Sequence, residues 1–397
     1  MNWRASWLCY NVVGVPLTTS GSSELAEEHT VTTEGQVYRD LQKHLDSLPI
    51  GYPPTASGVE IRILKHLFTP EESRMATKLS IMPEPLSEIY ERVKNSGISI
   101  EKLEQVLDHM VHKGTILITT REGEKYYRNA MLAVGMFELQ VDRLTKNFAE
   151  DLLQYLDEAF AEELYRTKIP QLRTIPVEKS IPHERHVSTY DDVRQIIKSV
   201  DGQIVVANCV CRQAKDVIGE SCTCTNLRQT CLVFRGAAKH HLDLGLARPI
   251  AKEEALDILE KAEEAGLVLQ PENTQRPSFV CCCCGDCCAV LTTVKKFPRP
   301  ADLYATNYYA QVNPESCIHC GTCVDRCQLE AVAIVDGLSV VALDRCIGCG
   351  ICAANCPSNA IQLKKKEQES LPPENTKALY MSIMSRKLGE NESIHLQ

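Results

Sequence analysis

Two stretches of the chain repeat one cysteine pattern. "ESCIHCGTCVDRCQLEAVAIVDG" starts at Glu315 and "LDRCIGCGICAANCPSNAIQLKK" at Leu343, and both have the form C-x2-C-x2-C-x3-C. The first holds Cys317, Cys320, Cys323 and Cys327; the second holds Cys346, Cys349, Cys352 and Cys356. Thiolates are soft donors, and four of them at this spacing suit the four irons of a [4Fe–4S] cubane. Three cysteines wrap a loop around three corners, and the turn that follows aims the fourth away to the other cluster. The predicted ligand sets are therefore Cys317, Cys320, Cys323 and Cys356 for one cluster and Cys346, Cys349, Cys352 and Cys327 for the other. Structural zinc ribbons use paired C-x2-C knuckles, not two runs of four. Gly321, Gly348 and Gly350 allow backbone N–H groups to approach sulfur, which helps set a cluster's potential.

Over about 50 residues this segment resembles the two-cluster bacterial-type ferredoxins. The resemblance implies two [4Fe–4S] cofactors and low-potential, one-electron exchange with a redox partner protein or oxidoreductase complex. One position departs from the pattern: Pro357 follows Cys356, but Gln328 follows Cys327.

Eleven further cysteines lie upstream. "CVCRQAKDVIGESCTCTNLRQTC" carries Cys209, Cys211, Cys222, Cys224 and Cys231, and "CCCCGDCC" carries Cys281 to Cys284, Cys287 and Cys288. Six cysteines in eight residues cannot all be small packing residues, because successive side chains face different ways. They read as ligands for one or two additional [4Fe–4S] clusters; zinc and redox-cycling thiols are the alternatives. Proximity along the chain groups Cys209, Cys211, Cys222 and Cys231 as one metal set and Cys283, Cys284, Cys287 and Cys288 as another, while the spacing equally allows mixed sets. Arg212 is either a counter-charge for thiolates or a solvated side chain. His183, His186, His240 and His241 read as surface or packing residues.

The triplet Cys283-Cys284-Gly285 resembles the CCG motif of heterodisulfide-reductase-type subunits, without the surrounding spacing. The whole layout after about residue 36 resembles a family of multi-cysteine ferredoxin-domain proteins of anaerobes. "SGVEIRILKHLF", "IPQLRTIPVEKSI", the "CVCR" segment and the cysteine knot carry that likeness. Asp286 stands where that knot would have another cysteine, so one ligand is missing there or replaced by carboxylate. This resemblance implies an architecture and leaves the mechanism open.

Composition agrees with a metal-bearing globular chain. Of 20 cysteines in 397 residues, only Cys9 lies outside the span Cys209–Cys356. Such clustering points to metal and a reducing, cytoplasmic compartment rather than a disulfide scaffold. A net charge of −9 argues against a nucleic-acid partner. No run of residues is long and apolar enough for a membrane span, and the opening residues lack the clean apolar core of a secretory signal.

The elements that must position these groups define an α+β fold class. Residues 1–35 read as a disordered leader. Residues 36–168 read as a helical, winged-helix-like domain. Its helices are read at 36–46, "SGVEIRILKHLF", "TPEESRMATKLS" (Thr69 N-cap, Pro70 at N1), "EPLSEIYERVKNSG" and "SIEKLEQVLDHMVHKG". A hairpin, "TILITT" to "KYYRNA", follows, and residues 136–165 form one or two more helices. Three Ile-Pro pairs make 169–187 a linker. A cysteine-rich α+β domain spans 188–300, with a strand at "GQIVVANCVCR", a helix at "AKEEALDILEKAEEAG" and a hairpin leading into the knot. The ferredoxin-like 2[4Fe–4S] domain spans 313–364, and 365–397 is a polar tail with one short helix near Leu379.

The main expectation is an iron–sulfur electron-transfer protein, either free or as an oxidoreductase subunit. An iron–sulfur-sensing winged-helix regulator is weaker, because "SIEKLEQVLDHMVHKG" carries three acids against two lysines and lacks a basic face. A catalytic oxidoreductase subunit using the middle cysteines is the third reading. No Walker A loop or dinucleotide-binding glycine run is present.

Overall fold

A computed structural model describes residues 24–180 and 188–394. Cys9, His183 and His186 lie outside them, as does the leader before residue 24.

The N-terminal part opens with α1 (Glu24–Asp46), so residues 24–35, expected to be disordered, are helical. Its buried stripe is Tyr38, Leu41 and Leu45. α2 (Val59–Leu67) and α3 (Pro70–Ala76) follow. Thr69 caps α3 in a full capping box with Glu72, a device that contributes about 1 kcal/mol. A two-residue strand, β1 (Glu84–Pro85), precedes α4 (Leu86–Val93) and α5 (Ile100–Lys113). β2 (Ile116–Arg121) and β3 (Glu124–Asn129) form the hairpin read from the sequence, and β1 adds to its far side in the order β1-β3-β2. α6 (Lys146–Tyr155) runs through one widened turn into α7 (Ala161–Tyr165).

The middle part is a five-stranded antiparallel sheet. α8 (Val193–Lys198) leads into β4 (Ile204–Asn208), then α9 (Val210–Ile218), β5 (Gln229–Phe234), α10 (Arg235–Asp243), β6 (Ala247–Ile250), α11 (Lys252–Glu264), β7 (Val268–Pro271) and β8 (Phe279–Cys283). The strand order is β6-β4-β5-β8-β7. Side chains alternate across a strand. Ile204, Val206, Leu232, Val280 and Cys282 join the main core with Leu259 of α11. Val205, Val233, Phe279, Cys231 and Cys281 face the other way, with Ala238 of α10. α12 (Ala289–Lys295) starts directly after the cysteine knot.

The C-terminal part pairs β9 (Tyr308–Val312) with β12 (Ile361–Lys365), so its first strand lies ahead of the expected boundary at residue 313. Between them lie α13 (Thr322–Arg326), the hairpin β10 (Val332–Val335) and β11 (Leu338–Val341), and α14 (Ile351–Ala354).

Two stretches depart from the sequence reading. The first is the expected linker: its described part is a buried strap. Gln171, Leu172, Arg173, Thr174, Ile175 and Val177 are all buried. The strap's N–H groups reach three neighbours: Arg173 to Pro271 O and Ile175 to Leu269 O along β7, Thr174 to Ala305 O, and Val177 to Cys349 O. The prolines do exclude helix, but they tolerate an extended edge segment whose remaining N–H groups find partners.

The second is the polar tail, which forms α15 (Thr376–Ile394). Leu379 and Ile383 are fully buried, and burying two such side chains stabilises by about 1.5–3 kcal/mol each. One turn further on, Lys387 is buried too. Its Nζ donates to Asp46 O and Leu48 O, both at 2.9 Å, and to Glu163 Oε1 at 2.8 Å. One continuous core thus runs from Tyr38 to Ile383.

Candidate iron–sulfur and thiol sites

In the C-terminal repeat, Cys327, Cys346, Cys349 and Cys352 line one small cavity. The fourth cysteine of the first run thus stands with the first three of the second. Cys356 correspondingly lies in the electrostatic reach of Cys317, and Ser339 Oγ sits 3.8 Å from Cys317 Sγ and 3.5 Å from Cys323 Sγ. Backbone N–H groups already address sulfur: Ala331 N to Cys327 Sγ at 3.1 Å and Ala310 N to Cys346 Sγ at 3.4 Å. Gly348 has φ of 66°, and a Cβ there would collide with Tyr308 O and Thr306 Oγ1, so the loop can close on β9 only as glycine. Burial pushes the thiols of Cys346, Cys349 (to about 12) and Cys352 upward, the cost of a dry site without a cation. The donor set, its enclosure and the N–H···S bonds all fit an iron–sulfur cluster.

The middle cysteines sort into two groups, and not by nearness in the chain. In the first, the ligand atoms of Cys222, Cys284, Asp286 and Cys287 all lie within 4.8 Å of one another. Cys222 Sγ and Cys284 Sγ are 3.7 Å apart. Cys224 joins them: thiol hydrogen bonds from Cys224 and Cys287 hold Cys284 well below the usual thiol range. Asp286 also fixes the loop, accepting from Thr223 N at 2.7 Å and Cys224 N at 3.3 Å.

The second group comprises Cys209, Cys211, Cys231, Cys281, Cys283 and Cys288. Cys231 and Cys281 are directly paired across β5 and β8. Thiol contacts then run from Cys281 to Cys283, to Cys288, to Cys211 and to Cys209. Cys281, flanked by donors Cys231 and Cys283, is held well below the ordinary value, and Cys288, flanked by Cys211 and Cys283, is drawn to about 5. Cys288 immediately precedes α12, and helix N-termini favour thiolate; Cys209, which precedes α9, is instead pushed up by its contact with Cys211 and by burial. Cys282 belongs to neither group, because strand alternation turns it to the α11 face.

Arg212 stands between the groups. It is fully buried, donating to Thr230 Oγ1 at 2.7 Å and Cys282 O at 3.0 Å. Burial disfavours its charge, but Cys209, Cys284, Cys283 and Cys222 outweigh that and raise its pKa. The solvated alternative for Arg212 is thereby excluded.

The grouping by chain proximity is corrected by this geometry. Cys209, Cys211 and Cys231 gather with Cys283 and Cys288, whereas Cys222 gathers with Cys284 and Cys287. Cys224 and Cys281 complete the groups and were in neither set read from the sequence, while Asp286 lies with Cys222, Cys284 and Cys287 as the carboxylate the knot offers in place of a cysteine. Alternation along "FVCCC" is the signal that would have separated Cys281 and Cys283 from Cys282.

Gln328, the position that departs from the ferredoxin pattern, joins the first group to the C-terminal repeat. Its Oε1 accepts from Gly285 N at 2.6 Å and lies 4.0 Å from Cys224 Sγ, while its Nε2 donates to Gly266 O at 3.0 Å. Gly285 lacks a side chain because a Cβ there would meet Gln328 O and Oε1.

The six-thiol group forms one wall of a cavity of about 520 Å³ between the sheet and the loop after β3, partly open to the surface near Thr120 and Lys239. Glu138 lines it near Cys281. Its carboxyl, raised by burial to about 8, accepts from Gly135 N at 2.6 Å. His240 lines it as well and touches no thiol group.

A family model described as the 4Fe-4S binding domain matches residues 310–332 and 340–362, one copy per repeat. The C-terminal segment is thus similar to the iron–sulfur domains of that class, over the β9–β12 unit described above. No curated protein and no solved structure matches the chain. Among the described residues no helix is long and apolar enough to cross a membrane.

Proposed function

We propose that this chain is an iron–sulfur electron-transfer protein whose C-terminal repeats hold two [4Fe–4S] clusters and whose middle part holds two further iron–sulfur sites. Such clusters supply one-electron chemistry at potentials set by their surroundings. The C-terminal sets are Cys317, Cys320, Cys323 and Cys356, and Cys346, Cys349, Cys352 and Cys327. The middle sets are Cys222, Cys224, Cys284 and Cys287 with Asp286 beside them, and the six-thiol group on the cavity wall.

The observation that carries this reading is the order of the groups in space. Cys327 is followed by Gln328, which touches Cys224 and Gly285. Cys284 is followed back along β8 by Cys283, at the second group. Arg212 lies between the two groups as a fixed buried cation. The chain therefore lines its thiols up from the C-terminal surface, where Cys320 is exposed, to the cavity beside the inner group. A redox partner docks on the C-terminal repeat in this reading.

The N-terminal element order and its three-stranded sheet support a winged-helix-like unit, used here for packing. Its α5 acids Glu104 and Asp108 hold Lys125 of the hairpin at 2.9 and 2.7 Å. That neutralises the face a DNA reader would need basic, so the regulator reading is disfavoured. The cavity beside the inner thiols is the observation that supports the alternative reading, a catalytic oxidoreductase subunit.

Iron and acid-labile sulfide on anaerobically purified protein test the proposal. We expect about sixteen irons per chain, four for each of four cubanes. About eight would confine the clusters to the C-terminal repeat, and an iron-poor, zinc-bearing protein would overturn the reading.

A further inference from the structure

The cavity behind the six thiols carries buried polar atoms without partners on two side chains, Arg128 and His240. Arg128 of β3 is turned away from the α5 side, where its neighbour Tyr127 packs and donates to Asp108. Its guanidinium lines the cavity, lies mostly out of water, and its Nε has no hydrogen-bond partner. No ion pair to it is formed by any described residue. Glu272, the nearest carboxylate, is already taken up by Ser278 N at 2.9 Å, Ser278 Oγ at 3.0 Å and Thr376 Oγ1 at 3.1 Å. His240 lies beside Arg128, is buried, and neither of its ring nitrogens has a partner.

Buried polar atoms without partners are costly, and here they are Arg128 Nε and the two ring nitrogens of His240. Both groups open on the same space. The remaining walls are largely apolar, from Leu132, Val134, Phe137, Val233, Phe279 and Val290. A volume of about 520 Å³ falls within the roughly 300–1,000 Å³ of small-molecule sites.

We propose that this cavity is a binding site for a small organic anion, a carboxylate with an apolar body. Arg128 and His240 receive its charged end, and its apolar body lies along Val233 and Phe279 towards Cys231 and Cys281. This rests on the electron-transfer reading only for its purpose: it makes the inner thiol group the place where a bound molecule meets the chain of iron–sulfur sites. The site itself stands on the orphaned donors and the cavity.

The test is anaerobic calorimetry on the full-length, iron-loaded protein with straight-chain carboxylates from butanoate to decanoate, each beside its neutral primary amide. One or more carboxylates should bind at least about tenfold tighter than the matching amide, the margin of a charge-assisted contact in a dry site. Arg128→Gln should bring that ratio to about one, and Arg128→Lys should keep part of it, both at unchanged iron content. Equal binding of acid and amide along the whole series would overturn the proposal, as would no binding at all, or an acid preference that survives Arg128→Gln. Iron measured on the same samples separates the two readings. Iron-poor protein that still prefers the acid refutes the cluster chain and keeps the site.

Discussion

At the scale of single residues, Arg212 and Gln328 decide how the thiols work together. Arg212 is an ordinary arginine in the sequence, next to a cysteine. Only the fold shows it buried with its charge shared between two thiol groups. An iron–sulfur site rich in thiolates carries net negative charge, and removing a buried counter-charge leaves that charge uncompensated. Arg212→Met keeps the volume and loses the charge. We expect iron per chain to fall from about sixteen towards about eight, with the C-terminal clusters retained. Electron paramagnetic resonance of the reduced protein, read beside the iron count, checks this; full iron with unchanged spectra would refute the role. Gln328 was visible in the sequence as a departure from the ferredoxin pattern, but its purpose was not. It replaces local stiffness with a hydrogen-bonded seam to Gly285 and Gly266.

At the scale of elements, most helices could be read directly. Thr69, Ser99 and Thr145 each cap a helix by accepting from a backbone N–H three residues on. Such signals are local, so the sequence displays them. The strand β8 is the instructive case. Its cysteines read as a dense knot, yet a strand turns alternate side chains to opposite faces. Cys281 and Cys283 meet other thiols, while Cys282 packs against α11 in the main core. Cys281→Ser should therefore remove about four irons, whereas Cys282→Ala should leave iron unchanged. Iron and sulfide assays on the two variants check the pair. Loss of iron in Cys282→Ala would show that β8 is not the strand described here.

At the scale of the whole molecule, a strap and a helix join parts that look like separate domains. The Ile-Pro stretch threads between β7 and the C-terminal repeat, with Arg173 and Asn307 both bound to Asp191. α15 crosses back to the N-terminal part, where Lys387 satisfies two carbonyls and Glu163. Lys387→Met leaves the buried Glu163 carboxylate with only the longer contact to Arg166, at 3.6 Å, and should cost about 2–3 kcal/mol, below the full cost of an uncompensated buried charge. The double variant Lys387→Met with Glu163→Gln should recover part of that loss. Chemical denaturation followed by circular dichroism measures both. A loss under about 1 kcal/mol in the single variant would mean that α15 is not docked as described.

The sequence alone determined the two cysteine runs and the Thr69 cap, because each is written within a few residues by spacing or by one hydrogen bond. Tertiary structure decided which middle thiols meet, that Arg212 and Lys387 are buried, and that a cavity with unpaired donors lies behind the inner thiols. Those outcomes depend on strand register and on contacts between segments up to 341 residues apart. Nothing in local composition encodes them, because the same polar side chain reads as solvent-facing until the fold closes over it.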